Sequence, residues 1–333
     1  MQVMQSAIKA IGLDIGTSRI VLAEPNGGGF NYRAQLNTFV SLPYSKVTEA
    51  MLRKEEIPYK VLDNRILVLG ERAQRLAHTL NVEVRRPMSR GLLNPNEPQN
   101  LQVIEEMVLR LAGHAKQGDK VCLSVPGNGG GNNEDLAYHR TTLAEMLENL
   151  GYEVAIINEG LAVVFAELGE TNFTGLGISF GGGTCNVCLA YLGLPVVTFS
   201  TPKAGDFIDY SAAGVTAETA TAIRMMKEQN LVLNGRGHNE VDRALSVYYD
   251  EMIASVIRGL TEALSGTRKL AQIDKPIPVA VSGGSAKPSG FLPRIEKALR
   301  NADLPIQISE VRIASSPLDT TAKGALMAAL LEA

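Results

Sequence analysis

This chain of 333 residues has little cysteine, no tryptophan and no large excess of one charge. Its three cysteines are too few for a disulfide framework. No stretch approaches the roughly 18 apolar residues of a membrane-spanning helix. The net charge of -3 argues against a general nucleic-acid binder, whose affinity comes from a basic surface. The first ten residues lack the apolar core of a signal peptide, so we expect a cytoplasmic protein that partners could bring to a membrane. Alternatively, Met1, Met4 and Ile8 line one face of a short helix that binds a membrane weakly.

Two of the cysteines, Cys185 and Cys188, have a spacing that occurs in redox and metal sites. The sequence around them predicts a β-strand, in which side chains three positions apart point to opposite faces. A shared metal is therefore not expected, and we interpret both as small core residues.

Glycine, by contrast, is abundant. The 32 glycines exceed the usual share of about 7%. They follow no Gly-X-Y period, which excludes a collagen helix. Several lie in tight turns after predicted strands, at 14–18, 181–184 and 283–285.

A pattern of strands joined by tight turns occurs twice along the chain. Residues 7–40 predict three strands joined by turns, and residues 175–200 repeat that pattern. Between them, helices alternate with strands at 120–125 and 153–158, which is typical of a parallel α/β sheet. The sequence therefore predicts an α/β protein with two similar halves that arose by duplication.

Paired glycine turns are suited to binding a polyphosphate. Without Cβ atoms, backbone N–H groups approach a phosphate closely, and Thr or Ser hydroxyls add donors. Asp14, at the end of the first strand, would lie beside the same phosphates, and a carboxylate there implies Mg²⁺, held through water. Alternatively, each turn is only a β-hairpin turn that requires a positive φ. The Walker A pattern is absent.

Six short motifs occur in an order that resembles the actin-like ATPases, which share their fold with sugar kinases and heat-shock chaperones. Residues 13–18 and 179–184 are similar to the two phosphate motifs, and residues 281–285 to the adenosine motif. Residues 158–162 resemble the Glu-Pro-x-Ala segment of bacterial actins. The segments 124–126 and 203–209 resemble a connecting strand and the entry to the fourth subdomain. The likeness spans almost the whole chain and is strongest to the MreB and MamK group.

This resemblance implies two similar lobes with four subdomains around a nucleotide cleft. The implied boundaries are 1–32 and 88–152 for subdomain IA, 33–87 for IB, 153–206 and 276–315 for IIA, 207–275 for IIB, and 316–333 for a C-terminal helix that returns to IA.

The function implied by the resemblance is binding of ATP or ADP with Mg²⁺, slow ATP hydrolysis, and polymerisation of the chain with itself. Asp14 would hold the water shell of Mg²⁺, and Glu159 would orient the attacking water as a general base. The other implied nucleotide ligands are Gly16, Thr17, Ser18, Gly181, Gly182, Gly183, Thr184, Gly205, Asp206, Glu218, Gly283, Gly284 and Ser285. Glu218, in a helix predicted at 216–229, would reach the ribose. Alternatively, Glu159 is only the N-cap of the next helix.

The second phosphate motif departs from the family pattern. It normally begins with Asp and closes with Thr-Asp, and Ser179 and Asn186 stand in those places here. The missing carboxylate removes a group that helps to position Mg²⁺ and water, and it also lessens repulsion of the phosphates. Binding is therefore expected to persist while hydrolysis slows.

Three functions fit these motifs. The first is a filament-forming cytoskeletal ATPase, favoured by the small insertion between about 33 and 87. The second is a small-molecule kinase of the same superfamily, which would need a base beside the γ-phosphate for a substrate hydroxyl. The third is a regulator that senses nucleotide and scarcely hydrolyses it, suggested by Ser179.

Overall fold

The computed structural model describes residues 9–80, 82–129, 133–233, 239–265, 267, 273 and 275–331. Residues 1–8, which begin the first predicted subdomain, and 130–131 of the glycine-rich loop lie outside this part. Its strands are β1 (Ala10–Ile15), β2 (Arg19–Asn26), β3 (Gly29–Leu36), β4 (Phe39–Pro43), β5 (Tyr59–Leu62), β6 (Arg65–Leu69), β7 (Met88–Ser89), β8 (Leu92–Leu93), β9 (Lys120–Val125), β10 (Glu153–Asn158), β11 (Gly175–Phe180), β12 (Cys185–Tyr191), β13 (Leu194–Thr201), β14 (Ile277–Ser282) and β15 (Ile308–Ile313). Its helices are α1 (Lys46–Lys54), α2 (Gly70–Leu80), α3 (Asn100–Ala112), α4 (Asn133–Asn149), α5 (Glu159–Glu167), α6 (Gly205–Val215), α7 (Ala220–Asn230), α8 (Glu240–Ser265), α9 (Phe291–Asn301) and α10 (Thr320–Leu331).

Two five-stranded sheets have the same topology. The first has the order β10-β9-β1-β2-β3 and the second the order β15-β14-β11-β12-β13. In each, the first strand of an antiparallel meander also pairs in parallel with a strand from later in the chain. This shared plan confirms the internal repeat expected from the sequence.

The central strand of each sheet has apolar side chains on one face and a glycine on the other. In β1, Ile11 and Leu13 are fully buried, and Gly12 faces α10, where a Cβ would meet the backbone at Ala322. In β11, Gly177 faces α5 in the same way, where a Cβ would meet the backbone of Gly160. Glycine is needed at both places because a helix packs directly on the strand.

Helices α5 and α10 join the two sheets. Helix α10 packs on β1, α5 packs on β11, and the two helices pack on each other. A Cβ at Gly324 of α10 would collide with the backbone of Ala162 in α5, so the helix axes approach closely. The C-terminal helix therefore returns to the first lobe and also contacts the second.

Smaller units flank the two sheets. The sheet β4-β6-β5 packs with α1 and α2 around its own apolar cluster, which includes Val40, Leu52 and Val68. Helices α6, α7 and α8 share the large core of the second sheet. Strand β3 continues to Leu36, beyond the predicted boundary at 32. The subdomain boundaries stay predictions.

No helix in the described ranges is long and apolar enough to cross a membrane. Cys185 and Cys188 are buried in different apolar clusters, on opposite faces of β12, as the strand interpretation predicted. Burial raises the pKa of the Cys188 thiol to about 12. Both are therefore core residues.

Candidate functional site

A cavity of about 480 Å³ lies between the two lobes, where β1, β11 and β14 end. Its lining includes residues from all three glycine turns and from the starts of α5 and α6. The predicted site residues in this lining are Asp14, Gly16, Thr17, Ser18, Glu159, Gly181, Gly182, Gly183, Thr184, Gly205, Asp206, Gly283, Gly284 and Ser285. The fold thus brings together residues as far apart in the sequence as Asp14 and Ser285.

The two phosphate-type turns touch across the cleft. A Cβ at Gly182 would lie against the hydroxyl of Ser18, and a Cβ at Gly183 against Thr17 and the backbone of Gly91. Among the described glycines in the turns at 14–18, 181–184 and 283–285, only Gly283 has a left-handed φ, of 95°. Both turns join antiparallel strands, as hairpin turns do, but a positive φ does not explain Gly16 or residues 181–183. Their glycines are better explained by the close approach of neighbouring backbone.

Asp14 places a carboxylate at the end of β1, on the cavity wall. Ser124 of β9 donates a hydrogen bond from its hydroxyl to Asp14 Oδ1 at 2.8 Å. Burial raises the pKa of Asp14 to about 6, although the Ser124 hydrogen bond opposes that shift. The site therefore contains a carboxylate that a cation would stabilise in its charged form.

Glu159 is the first residue of α5, and it lines the same cavity. The N-cap is Asn158, whose Oδ1 accepts from the backbone N–H of Gly160 at 2.9 Å. The alternative that Glu159 is only an N-cap is therefore wrong. Burial, and secondly the charge of Asp14, raise the pKa of Glu159 well above its ordinary value, against a hydrogen bond from Asn186.

Ser179 and Asn186, the two departures from the family motif, are paired on neighbouring strands β11 and β12. Both are buried, and Ser179 lines the cavity. An aspartate at 179 would add a further carboxylate to the part of the cavity wall that carries Asp14 and Glu159. Asn186 donates from Nδ2 to Glu159 Oε2 at 2.7 Å and to Thr184 Oγ1 at 3.2 Å.

Asp206 belongs to an ion-pair network on the cavity wall. Arg86, from the first lobe, donates from Nη1 to both carboxylate oxygens of Asp206, at 2.9 and 3.1 Å. Arg224 of α7 donates from Nη2 to Asp206 Oδ1 and from Nε to Asp209 Oδ2, at 3.1 Å in both cases. Lys227 Nζ lies 2.6 Å from Asp209 Oδ1. The structure thus gives Asp206 cationic partners on both sides of the cleft.

Glu218 is placed differently from its prediction. The helix predicted at 216–229 begins at Ala220, because Thr219 is its N-cap and accepts from the N–H of Ala222. Glu218 is exposed before that cap, outside the lining that the structure describes. Further along α7, Arg224, Lys227 and Glu228 line the cavity, and their helical spacing is the signal that sequence reasoning missed.

The β7–β8 hairpin was not recognised from the sequence. Arg90 and Gly91 form its tip with φ of 51° and 77°. The N–H of Gly91 donates to Thr17 Oγ1 at 2.9 Å, and Gly91 lines the cavity. Gly91, a residue type that readily adopts a positive φ, was the available signal for this turn.

Comparisons with known proteins agree with this architecture. A family model described as Volactin matches residues 9–329. A search of curated proteins finds no match.

Solved structures of similar fold cover almost the whole chain. A MamK double helical filament matches with a TM-score of 0.72 at 16% identity, over 98% of this chain and 99% of that one. MreB5 of Spiroplasma citri bound to AMPPNP matches with a TM-score of 0.68 at 17% identity, over 96% and 95%. The ethanolamine utilization protein EutJ from Carboxydothermus hydrogenoformans has a TM-score of 0.55 at 18% identity, over 97% and 90%. These structures confirm the actin-like fold with its two lobes.

Proposed function

The chain belongs to the Volactin family, and from its actin-like fold and cleft we propose that it binds ATP with Mg²⁺ and polymerises into filaments. The observation that carries this proposal is the pair of glycine turns, Gly16–Ser18 and Gly181–Thr184, which meet across one cavity. Such turns present backbone N–H groups and hydroxyls to phosphate oxygens. The similar MreB5 structures, with AMPPNP and with ADP, support nucleotide as the ligand.

Mg²⁺ fits the residues of the cavity as a companion of the phosphates. In the described part of the chain no cluster of three or more His, Cys, Asp or Glu side chains is suited to a metal ion. Asp14 is a single hard oxygen donor, which suits a cation held mainly by phosphates and water. Bound there, Mg²⁺ would neutralise phosphate charge, and Asp14 would hold its water shell.

We propose that Glu159 acts as the base for slow hydrolysis. Its carboxylate lies at the cavity, and burial raises its pKa above the ordinary glutamate value, which makes it a stronger base when it is ionised. Thr17, Ser18 and Thr184 supply hydroxyls toward the phosphates, and the turn at 283–285 lies where the nucleoside would pack. Because Ser179 stands where the family motif usually has aspartate, the site lacks one carboxylate for positioning Mg²⁺ and water, and we expect hydrolysis to be slow.

The experiment that tests the proposal is pelleting with electron microscopy of the purified chain in ATP, ADP and no nucleotide, each with Mg²⁺. We expect polymer with ATP and less polymer with ADP. Absence of polymer at every protein concentration and salt would overturn the filament proposal. Phosphate release measured in the same samples reports hydrolysis, and a screen with candidate sugars tests kinase activity.

A second candidate is a regulator that binds nucleotide without forming filaments. Ser179 favours it, because the site lacks one carboxylate used to position Mg²⁺ and water. It predicts ATP binding with neither polymer nor measurable phosphate release.

A further inference from the structure

Asn186 is fully buried near the start of β12, between β11 and β13. Its side-chain oxygen accepts the backbone N–H of Gly127 at 3.0 Å. A backbone N–H can only donate, so this bond fixes which end of the amide is which. The Nδ2 group is therefore directed toward Glu159 and Thr184.

The partner that fixes the amide is itself held firmly. Gly127 follows β9, and its carbonyl accepts the hydroxyl of Ser200 on β13 at 2.8 Å. The carbonyl of the next residue, Asn128, accepts the N–H of Ser200 at 2.8 Å. The loop after β9, in the first lobe, is thus hydrogen-bonded to the second sheet, and it fixes the oxygen end of the Asn186 amide.

The donor end of the amide makes a short contact with the carboxylate. Its 2.7 Å bond to Glu159 Oε2 is a charge-assisted hydrogen bond when Glu159 is ionised. The same nitrogen contacts Thr184 Oγ1, at the end of the second phosphate-type turn. One amide therefore connects the carboxylate to the turn opposite Gly16–Ser18.

Aspartate, the residue that the family motif has here, cannot make this arrangement in its ionised form. A carboxylate is acceptor-only, so one oxygen could accept from Gly127 while the other would face Glu159. Two carboxylates at that separation would repel each other or share a proton. Asparagine supplies one acceptor and one donor, which the two neighbours require.

We propose that Asn186 is a positioning residue, whose amide holds the Glu159 carboxylate in the orientation from which it acts on water. This inference rests on the proposed function, since it assigns a role toward the base of that reaction. It explains how a chain with Ser179 in the second phosphate motif retains one oriented carboxylate. Asn186 itself does not touch the nucleotide in this scheme.

The test is a double-mutant cycle on the full chain, with Asn186→Asp, Glu159→Gln and the two combined. The readouts are kcat and KM for phosphate release from Mg-ATP, and the thermal midpoint. For Asn186→Asp we expect kcat to fall roughly tenfold to hundredfold with KM little changed, because a charge-assisted bond is lost. Asn172→Asp, at an exposed position, is the matched control for an added carboxylate and should leave kcat unchanged.

The combined variant separates positioning from general structure. In it the introduced glutamine amide can donate to the introduced aspartate carboxylate, so the pair is restored with its direction reversed. The thermal midpoint should therefore recover from its value in Asn186→Asp, and kcat should be no lower than that of Glu159→Gln alone. Asn186→Ala, which adds no charge, should also lower kcat. It replaces Asn186→Asp as the test variant if Asn186→Asp does not fold.

Two results would overturn the proposal for Asn186 while the proposed function survives. One is an unchanged kcat in Asn186→Asp and Asn186→Ala. The other is an equal fall in kcat when the change is made in the Glu159→Gln background. If Glu159→Gln itself releases phosphate at the wild-type rate, the proposed base is wrong, and the role of Asn186 toward it is wrong too.

Discussion

Glu159 and Asp14 are two carboxylates removed from water in one cavity; burial raises the pKa of both, and the charge of Asp14 further raises that of Glu159. Glycine turns and Asp14 were predictable, because a strand followed by Asp and glycines is a local pattern. The partner of Glu159 was not, since Asn186 is 27 positions away and comes close only because α5 packs on β11 and β12. Ser179 and Asn186 were visible only as missing carboxylates, and their contacts required the fold.

Phosphate release should depend on pH through Glu159. Its pKa is raised in the fold, and the base works only when it is deprotonated, so kcat/KM should fall as pH is lowered through that raised value. The midpoint should lie above the ordinary glutamate value of about 4.3. A pH–rate profile with Mg-ATP checks this, and Glu159→Gln should lack the acidic limb. A profile that stays flat from neutral pH to below that ordinary value would contradict the assignment.

At the scale of elements, strands were predicted from apolar runs and glycines, whereas helix α1 was not predicted although its signals are present in the sequence. Residues 45–60 are rich in charged side chains, and α1 forms there with Ser45 as its N-cap and a Glu49–Arg53 ion pair one turn apart. These signals are local and were overlooked. The β7–β8 hairpin is different, because its position depends on α4: His139 Nδ1 accepts the N–H of Leu93 at 3.2 Å.

That contact predicts a stability that depends on pH. Burial lowers the pKa of His139 to about 4, so the folded state keeps it neutral while the unfolded chain takes up a proton below about 6.5. Its contribution is therefore fully present above about pH 6.5 and is lost as pH falls toward about 4. From pH ~7 to ~5 this amounts to about 2 kcal/mol of unfolding free energy.

Urea unfolding of the wild type and of His139→Gln at both pH values checks the prediction. Glutamine keeps an acceptor for Leu93 but does not titrate, so the variant should lose less stability on acidification. Equal losses in the two proteins would contradict the role of His139.

At the scale of the whole molecule, the internal repeat was predictable because both meanders carry the same order of apolar runs and glycine turns. The contacts across the cleft were not, since they join residues from different lobes. Arg86 and Asp206 illustrate this, being 120 positions apart and joined by two hydrogen bonds from one guanidinium nitrogen. The motif that contains Asp206 predicted its location in the cleft without its arginine partners.

We expect this ion pair to slow nucleotide release by holding the lobes together. Arg86→Ala should increase the dissociation rate of a fluorescent ATP analogue roughly threefold to tenfold, because a partly buried charged hydrogen bond is lost. Arg75→Ala, at an exposed position of α2, is the matched control and should leave the rate unchanged. The measurement is a chase with excess unlabelled ATP. Equal rates in all three proteins would show that the pair does not restrain the cleft.

The central claim is that the paired glycine turns bind nucleotide, and calorimetric titration of Mg-ATP into wild type, Gly183→Ala and Gly29→Ala tests it most directly. A Cβ at Gly183 would meet the backbone of Arg90 and Gly91, whereas Gly29 has room for one. We predict one site per chain in the wild type and in Gly29→Ala, and roughly tenfold or weaker affinity in Gly183→Ala, because overpacking there forces the turns apart. No binding by the wild type, or equal affinity in all three proteins, would contradict the account.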